Sequence, residues 1–532
     1  MEFVQKDFEH RDLYSENTFL KDLVDFYVSS AQNEKIKNSL ISFSKVANSE
    51  IRLDSVLAEE HPPVLKKYDH WGGEVNEIKT HEAWSRLHKA AATHELVALG
   101  YNKENKEFSR FHQFLKILIF HPSSAFYSCP LAMTDGAAKV LKKYLKNSFV
   151  KDVFDHLTSS DPENFWTAGQ WMTEKPGGSD VSNSETIAKH ENGVYLLNGI
   201  KWFTSAITSE VAMALAKIEG SESLSLFLIK IRDEKGNLNK IELLRLKDKL
   251  GTRAMPTAEL RLNGCEGFLI GGEGRGVKEI TEILNISRLY NSVCASGSIF
   301  KLLSLAVDYS NKRFAFGKRI AEHPLHRKTL LEQRAKVRAC IHLVSYLSVL
   351  LGRQEHDTSV SETDLMLRFL TPIAKLWTAK KSIEVTSELL ECFGGAGYIE
   401  DTGLPKFLRD AQVFSIWEGT TNILSLDVLR ALTKDEGRDV LIKAFDKMFK
   451  TAVKGFENEK EKLAAVFEVL KTWLTTHINN REQLELGCRE FSMKTAEVLC
   501  GFKMIEFAEQ TKNVDDELDA RTFIKTIQNP NF

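Results

Sequence analysis

The chain has 532 residues, 43% hydrophobic and 27% charged, with a net charge of −2. It is long enough for three or four domains with sizeable cores, and its charge argues against any global pull toward nucleic acid or anionic membrane. Seven scattered cysteines (129, 265, 294, 340, 392, 488, 500) with no CxxC pair argue against a disulfide framework or a cysteine zinc site and suit a reducing compartment.

Residues 1–165 carry helical patterns, broken by HPP at 61–63 and by a Trp71-Gly72-Gly73 turn. HEAWSRLHKAAATHELVALG (81–100) and FSRFHQFLKILIFH (108–121) repeat apolar residues at three- and four-residue steps, the period of a half-buried helix. From 166 to 276 the period changes. VYLLNGIKWFTS, VAMALAKI, LSLFLIKI, IELLRL and AELRLNG are short runs separated by turn residues, which predicts an antiparallel β domain. Long helical patterns return over 277–432, at about 277–312, 326–355, 361–392 and 408–431, and read as a four-helix bundle. Residues 433–532 form a further helical extension, as in KLAAVFEVLKTWLTTHI.

No apolar run approaches the ~18 residues that span a bilayer. The acidic start MEFVQKDFEHRDLYSENTF has one arginine, unlike a mitochondrial presequence, and the final NPNF is not a peroxisomal signal. The cytoplasm is the expected location, with a mitochondrial one open only if a leader has been removed.

Some motifs tempt and fail. IGGEGRGVKEI (270–280) has two glycines at phosphate-loop spacing, but Val277 separates Gly276 from Lys278 and no Ser or Thr follows. Its G-x-G-x-G run also lacks a βαβ setting for dinucleotide binding, so it reads as a joint between the β domain and the bundle. His81-Glu82 has its next histidine at 88, which is no zinc-protease spacing. The histidines show no metal-ligand pattern, and there is no G-x-S-x-G elbow.

Five segments do combine, in this order: QWMTEKPGGSDV (170–181), NGIKWFTS (198–205), RFAFG (313–317), ECFGGAGY (391–398) and IWEGTTN (416–422). Taken alone, a glutamate before a glycine reads as an ordinary helix end. Together, over roughly residues 75–432, they resemble the acyl-CoA dehydrogenase family, most nearly its AidB-like branch. The resemblance implies an α+β fold with an N-terminal helical domain, a central antiparallel β domain, a helical bundle and an extra helical C-terminal region. It implies FAD as cofactor, and fatty acyl-CoA or fatty acid as ligand. It also implies a homotetramer, a dimer of dimers, with an electron-acceptor protein as a further partner.

Residue by residue, the resemblance makes Glu418 the catalytic base. Thr173, Gln170 and the backbone around Met172 correspond to contacts with the flavin edge, and Ser179 to a contact near both the pyrophosphate and the bound thioester. Phe203, Thr204 and Ser205 fall where the family places its flavin-facing aromatic and hydroxyl. Trp417, Thr420 and Asn422 join the cofactor set. Arg313, Phe316, Gly394 and Gly395 correspond to residues that reach the adenine half of a neighbouring subunit's flavin. Arg288, in NISR (285–288), matches a CoA-contacting position, while an intrahelical ion pair with Glu282 or Glu279 is an alternative for it.

The chain departs from the family pattern at three places. Phe203 holds the usual tryptophan position with Trp202 just before it, so either ring could cover the flavin. Ala315 and Glu391 stand where glutamines are usual.

The chemistry fits these residue types. Oxidising a thioester between its α and β carbons needs a base for the α proton beside a hydride acceptor. A carboxylate serves as that base when it is desolvated and the enolate is stabilised electrostatically. An arginine offers a forked donor to phosphate oxygens, and glycines let backbone approach closely. A second reading, a flavoprotein that holds fatty acyl-CoA or fatty acid with little turnover, uses the same motifs. A third, DNA association, needs a basic surface. Residues 434–532 instead interleave 16 Lys and Arg with 18 Asp and Glu, the pattern of solvated helix faces.

Overall fold

Period and punctuation place the elements along the chain. The computed structural model describes residues 5–28, 31–102, 104–357, 361–433 and 435–532. The N-terminal region contains α1 (Thr18–Tyr27), α2 (Gln32–Val46), α3 (Arg52–Glu60), the hairpin β1 (Val64–Tyr68) and β2 (Glu74–Lys79), α4 (Glu82–Thr93), α5 (Ser109–Phe120), α6 (Ser128–Leu141) and α7 (Ser148–Leu157). The middle region contains β3 (Ala168–Trp171), β4 (Ile187–Glu191), β5 (Val194–Ser205), β6 (Val211–Ile218), β7 (Leu224–Lys230), β8 (Ile241–Leu246) and β9 (Thr257–Ile270). There follow α8 (Gly276–Lys312), the two-residue strands β10 (Phe314–Ala315) and β11 (Lys318–Arg319), α9 (Pro324–His356), α10 (Ser361–Glu391), α11 (Pro405–Phe414) and α12 (Thr421–Leu432). The C-terminal extension is α13 (Asp435–Lys450), α14 (Glu457–His477), α15 (Arg481–Thr511) and α16 (Val514–Thr526).

Two compact units result: Met1–Asn48 with Lys103–Pro122 and Asn291–Phe532, and Ser49–Asn102 with Ser123–Tyr290. In the second unit the sheet pairs β6 with β4, β4 with β5, β5 with β9, β9 with β7, and β7 with β6 again, so it closes on itself; β3 and β8 add at β6 and β9. The expected antiparallel order is corrected at two pairings, since β3–β6 and β4–β6 run parallel. The apolar run VAMALA of β6 is buried on both faces, which removes the alternation of a half-exposed strand. Val211, Met213 and Leu215 pack with residues of α6 and α7, whereas Ala212, Ala214 and Ala216 pack with Trp171, Leu197 and Phe227.

In the first unit α10 packs against α9, α11, α12 and α15, and α15 packs against α9, α14 and α16. Helix α9 is long and apolar enough to cross a bilayer, with 83% of its apolar window buried in the chain, as in a core helix. It begins with Pro324 at its first turn, where a missing N–H costs nothing. Helix α16 is capped by Asn513 and docks on α9 through Arg334 to Asp515 and Asp519 and Arg338 to Asp516. In the extension, Lys471 meets Asp446 and Glu468, Lys494 meets Glu497, and Lys503 meets Glu506, so charge alternates there.

Two further expectations are corrected. The pattern over 408–431 predicts one helix, but α11 and α12 are separate, broken over 415–420. The reason is local: Glu418 and Gly419 have φ of +57° and +105°, left-handed conformations a helix cannot hold. The N-terminal region also contains the β1–β2 hairpin, hidden in the sequence by strands rich in Lys and Glu.

Candidate active site

The Thr-Glu segment after β3 is built around a buried ion pair. Lys201 Nζ donates to Glu174 Oε1 at 2.5 Å, with side chains 0% and 2% exposed. Glu174 also accepts from the Thr186 hydroxyl at 2.6 Å and the Glu185 and Thr186 N–H groups at 2.6 and 3.2 Å. Lys201 donates a second bond to the Leu215 carbonyl at 2.7 Å. Burial works against the Glu174 charge, but the Lys201 ammonium and the other donors outweigh it and hold the carboxyl below its usual range. So complete a set of partners makes a buried pair rigid. Around it Glu174 and Gly177 bond backbone to backbone, and an added Cβ at Gly178 would meet Thr173 at 3.0 Å. This turn presents Ser179, which is exposed. Asp180 stops the loop by accepting from Asn183 and from the Ser182 hydroxyl and N–H, and the two Ser182 bonds lower its pKa.

Thr173 lies beside the aromatic pair, because its carbonyl accepts from the Trp202 N–H at 2.8 Å. Phe203 is 49% exposed and Ser205 is half-buried, sharing a hydrogen bond with Thr257 at 3.2 Å. Thr204 departs from expectation: it is fully buried and its hydroxyl donates to the Ala258 carbonyl at 2.7 Å, so it ties β5 to β9 and does not face a ligand. Gln170 and Met172 are half-buried, the Gln170 amide lying 3.6 Å from the Met172 sulfur. The Gln170 Oε1 atom is buried with no hydrogen-bond partner. Arg288 is buried at 7% exposure. Glu282 pairs with Lys143 at 3.0 Å, and Glu279 lies 3.6 Å from Lys143 and 3.7 Å from Arg275.

In the other unit the Ile-Trp-Glu-Gly turn is held from several sides. Helix α11 ends as the Ile416 and Trp417 N–H groups bond back to Val413. Glu418 and Trp417 are half-buried. The Gly419 carbonyl accepts from Lys375 Nζ at 2.5 Å, and Lys375, on α10, is 0% exposed. Thr420 is the exposed residue preceding α12. Asn422, on the first turn of α12, accepts at Oδ1 from Arg489 of α15 at 3.0 Å. A non-glycine residue held left-handed by its surroundings is a mark of functional sites.

Also in this unit, β10 and β11 form a hairpin with Phe316-Gly317 at its tip, both at positive φ (+51° and +81°). Asn-Gly is the usual choice for such a turn. Here a phenylalanine is used and left 97% exposed. Arg313, at the base of the hairpin, accepts the Ile320 N–H on its carbonyl at 2.9 Å. Gly397 is required by packing, since a Cβ there would overlap the Leu390 carbonyl oxygen, whereas nothing lies within 4 Å of a Cβ at Gly394 or Gly395. Both are exposed, and that open space suits close approach by a ligand or another subunit.

Of the candidate residues, Gln170, Met172, Thr173, Ser179, Phe203, Ser205 and Arg288 belong to one unit, and Arg313, Phe316, Gly394, Gly395, Trp417, Glu418, Thr420 and Asn422 to the other. The residues fit a flavin dinucleotide. Gln170 Oε1 is a partnerless acceptor, Phe203 is an open aromatic face, and the glycines leave backbone uncovered. Lys375 and Arg489 were missed in the sequence because their partners lie 44 and 67 positions away in the chain. Glu174 and Lys201 lay inside matched motifs, but only the fold shows them paired.

Three family models match successive parts of the chain: the adaptive response protein AidB N-terminal domain over residues 4–163, the acyl-CoA dehydrogenase middle domain over 169–265, and the acyl-CoA dehydrogenase C-terminal domain over 274–433. Acyl-CoA dehydrogenase family member 11 of Caenorhabditis elegans is 40% identical over 502 residues, covering 90% of this chain and 81% of the relative. AidB of Escherichia coli (strain K12) is 30% identical over 468 residues, covering 85% and 82%. The crystal structure of Caenorhabditis elegans ACDH-11 in complex with C11-CoA superimposes with a TM-score of 0.95 at 37% identity, over 98% of this chain and 93% of that one. Motifs, fold and relatives agree that this chain belongs to the acyl-CoA dehydrogenase family, in its AidB-like branch.

Proposed function

We propose that the protein is an FAD-dependent dehydrogenase of fatty acyl-CoA thioesters, with Glu418 as the base. The observation that carries this reading is the left-handed Glu418 in a turn tied down by the buried Lys375. Glu418 removes the proton from the carbon α to the thioester carbonyl. FAD, when bound, supplies the acceptor for the β hydride, and a carbon–carbon double bond forms between the two positions. Gln170, Thr173 and Phe203 hold the flavin edge, and Ser179 and Arg288 take the thioester and CoA portions. The C11-CoA complex of a structural relative supports an acyl-CoA thioester as ligand.

The adenine half of the cofactor is gripped by Arg313, Phe316, Gly394 and Gly395 of a neighbouring copy, in a homotetramer. Phe314, Phe316, Leu325, Tyr398 and Ile399 are 49–97% exposed, large apolar side chains beside the Arg313 and Gly394–Gly395 segments in the sequence, and this supports burial between copies. No disulfide forms among the described residues, which supports a cytoplasmic location.

A second reading, a flavoprotein that sequesters acyl-CoA with little turnover, uses the same contacts. The test of both is to add a series of acyl-CoAs anaerobically to the purified protein with a dye acceptor. Flavin bleaching that depends on Glu418 supports the dehydrogenase. Tight binding without bleaching supports sequestration, and a protein that takes up no FAD overturns both.

A further inference from the structure

Residues Asp7 to Arg11 run as neither helix nor strand along the end of α8, which holds them by their main chain. Lys312 Nζ donates to the Asp7 carbonyl at 3.0 Å, Asp308 accepts from the Glu9 N–H at 3.0 Å, and Lys301 Nζ donates to the Arg11 carbonyl at 3.3 Å. Asn48 donates to the His10 carbonyl. Lys301, Asp308 and Lys312 share one face of α8 by their helical spacing. Lys312 also pairs with Asp308 at 2.9 Å, and Lys301 donates to Asn48 at 3.1 Å. Asp308 and Lys301 are 2% and 3% exposed. Buried polar groups are costly without partners, so this face is completed by the segment lying on it.

One side chain of the segment reaches further. The Phe8 ring meets Phe393 edge on, with centroids 5.7 Å apart and planes at 90°, and lies 6.3 Å from Tyr309. Tyr309 and Phe393 are themselves 5.2 Å apart. Tyr309 is on the last turn of α8, and its carbonyl accepts from the Arg313 N–H at 2.9 Å. Phe393, 2% exposed, directly precedes Gly394 and Gly395. The three rings therefore join the end of α8, which leads into Arg313, to the end of α10, which leads into the glycine pair. Nothing lies within 4 Å of a Cβ at either glycine, so Phe393 is a support beneath a turn that is open above.

We infer that Asp7 to Arg11 is a positioning strap with Phe8 as its anchor, which fixes Arg313 and the Gly394–Gly395 turn relative to each other and so sets the grip on the adenine half of the cofactor; the inference rests on the FAD-binding reading above. Phe8 acts through Tyr309 and Phe393 and touches no cofactor itself. Edge-on ring pairs have a preferred geometry beyond simple burial. Without Phe8 two of the three ring contacts go, and the two helix ends are coupled through these rings by Tyr309 and Phe393 alone. A small displacement of a group that holds a ligand costs affinity out of proportion to its size.

The test compares FAD and FMN binding to the full chain stripped of cofactor, since FMN lacks the adenine half. Phe8→Ala is expected to weaken FAD binding about tenfold and to leave FMN binding as in the wild type, with Phe8→Tyr restoring FAD affinity. If Phe8→Ala does not fold, Phe8→Leu keeps the apolar volume, removes the ring and is read the same way. A folded variant with wild-type FAD affinity, or one that loses FAD and FMN affinity in equal measure, overturns the strap alone. A wild-type protein that takes up no FAD overturns the cofactor reading and this inference with it.

Discussion

The buried ammonium of Lys375 donates to the carbonyl oxygen of Gly419 at 2.5 Å, one residue beyond a glutamate whose φ of +57° is unfavourable for any side chain with a Cβ. A charged donor to a backbone carbonyl contributes about 1.5–3 kcal/mol, comparable to the cost of about 1–3 kcal/mol for holding such a conformation. Lys375→Met is therefore expected to slow acyl-CoA-dependent flavin reduction about tenfold or more, with acyl-CoA affinity changed much less. Stopped-flow reduction alongside ligand titration measures both.

Glu418→Gln keeps the size and hydrogen bonding of the side chain and removes its basicity. Reduction is expected to fall about a thousandfold with FAD content and acyl-CoA binding retained. An unchanged rate in a wild type that does reduce its flavin would remove Glu418 from the base role.

Glu174→Gln leaves Lys201 buried without its counter-charge and is expected to destabilise the β-domain unit by about 3 kcal/mol. Because the Glu174 pKa is depressed in the fold, its contribution is full above the ordinary carboxylate range and is lost as pH falls through the lower folded value. Urea midpoints of wild type and variant should therefore converge in acid. Midpoints that differ equally at all pH values would count against the ion pair.

His112, His121 and His342 are each pushed down to about 3, by burial first and then by nearby cations. Folded values below the ordinary value of about 6.5 mean that stability is full above that pH and declines as pH falls toward 3, by about 1.4 kcal/mol per pH unit for each histidine. All three lie in the unit containing Glu418, which should lose stability steeply between pH 6 and pH 4. His342→Gln should reduce that slope by about a third, as read from denaturant unfolding at a series of pH values.

The glycine cluster separates packing from function. Gly397→Ala is expected to destabilise the fold, because the new Cβ overlaps the Leu390 carbonyl. Gly395→Ala meets nothing within 4 Å, so its thermal midpoint should hold while FAD content or tetramer fraction drops. Calorimetry, flavin absorbance and sedimentation distinguish the two effects. A Gly395→Ala protein with full FAD and unchanged assembly would take that glycine out of the cofactor contact.

The alternation of region types and the three long bundle helices α8, α9 and α10 were legible in the sequence, because they depend on local period, and the segment that carries Glu418 was legible as a contiguous motif. The break between α11 and α12 was not, since residues 408–431 have helical apolar spacing throughout and only the backbone conformation at Glu418 and Gly419 interrupts it. Thr204 sits inside a matched motif, yet the strand buries its hydroxyl against Ala258. Strand pairing, not residue type, decides which way a side chain points. Lys375 and Arg489 are ordinary cations in the sequence. Each becomes informative only when helix packing brings it to a carbonyl or an amide, because a contact between distant positions depends on how the elements pack and leaves no trace in local spacing.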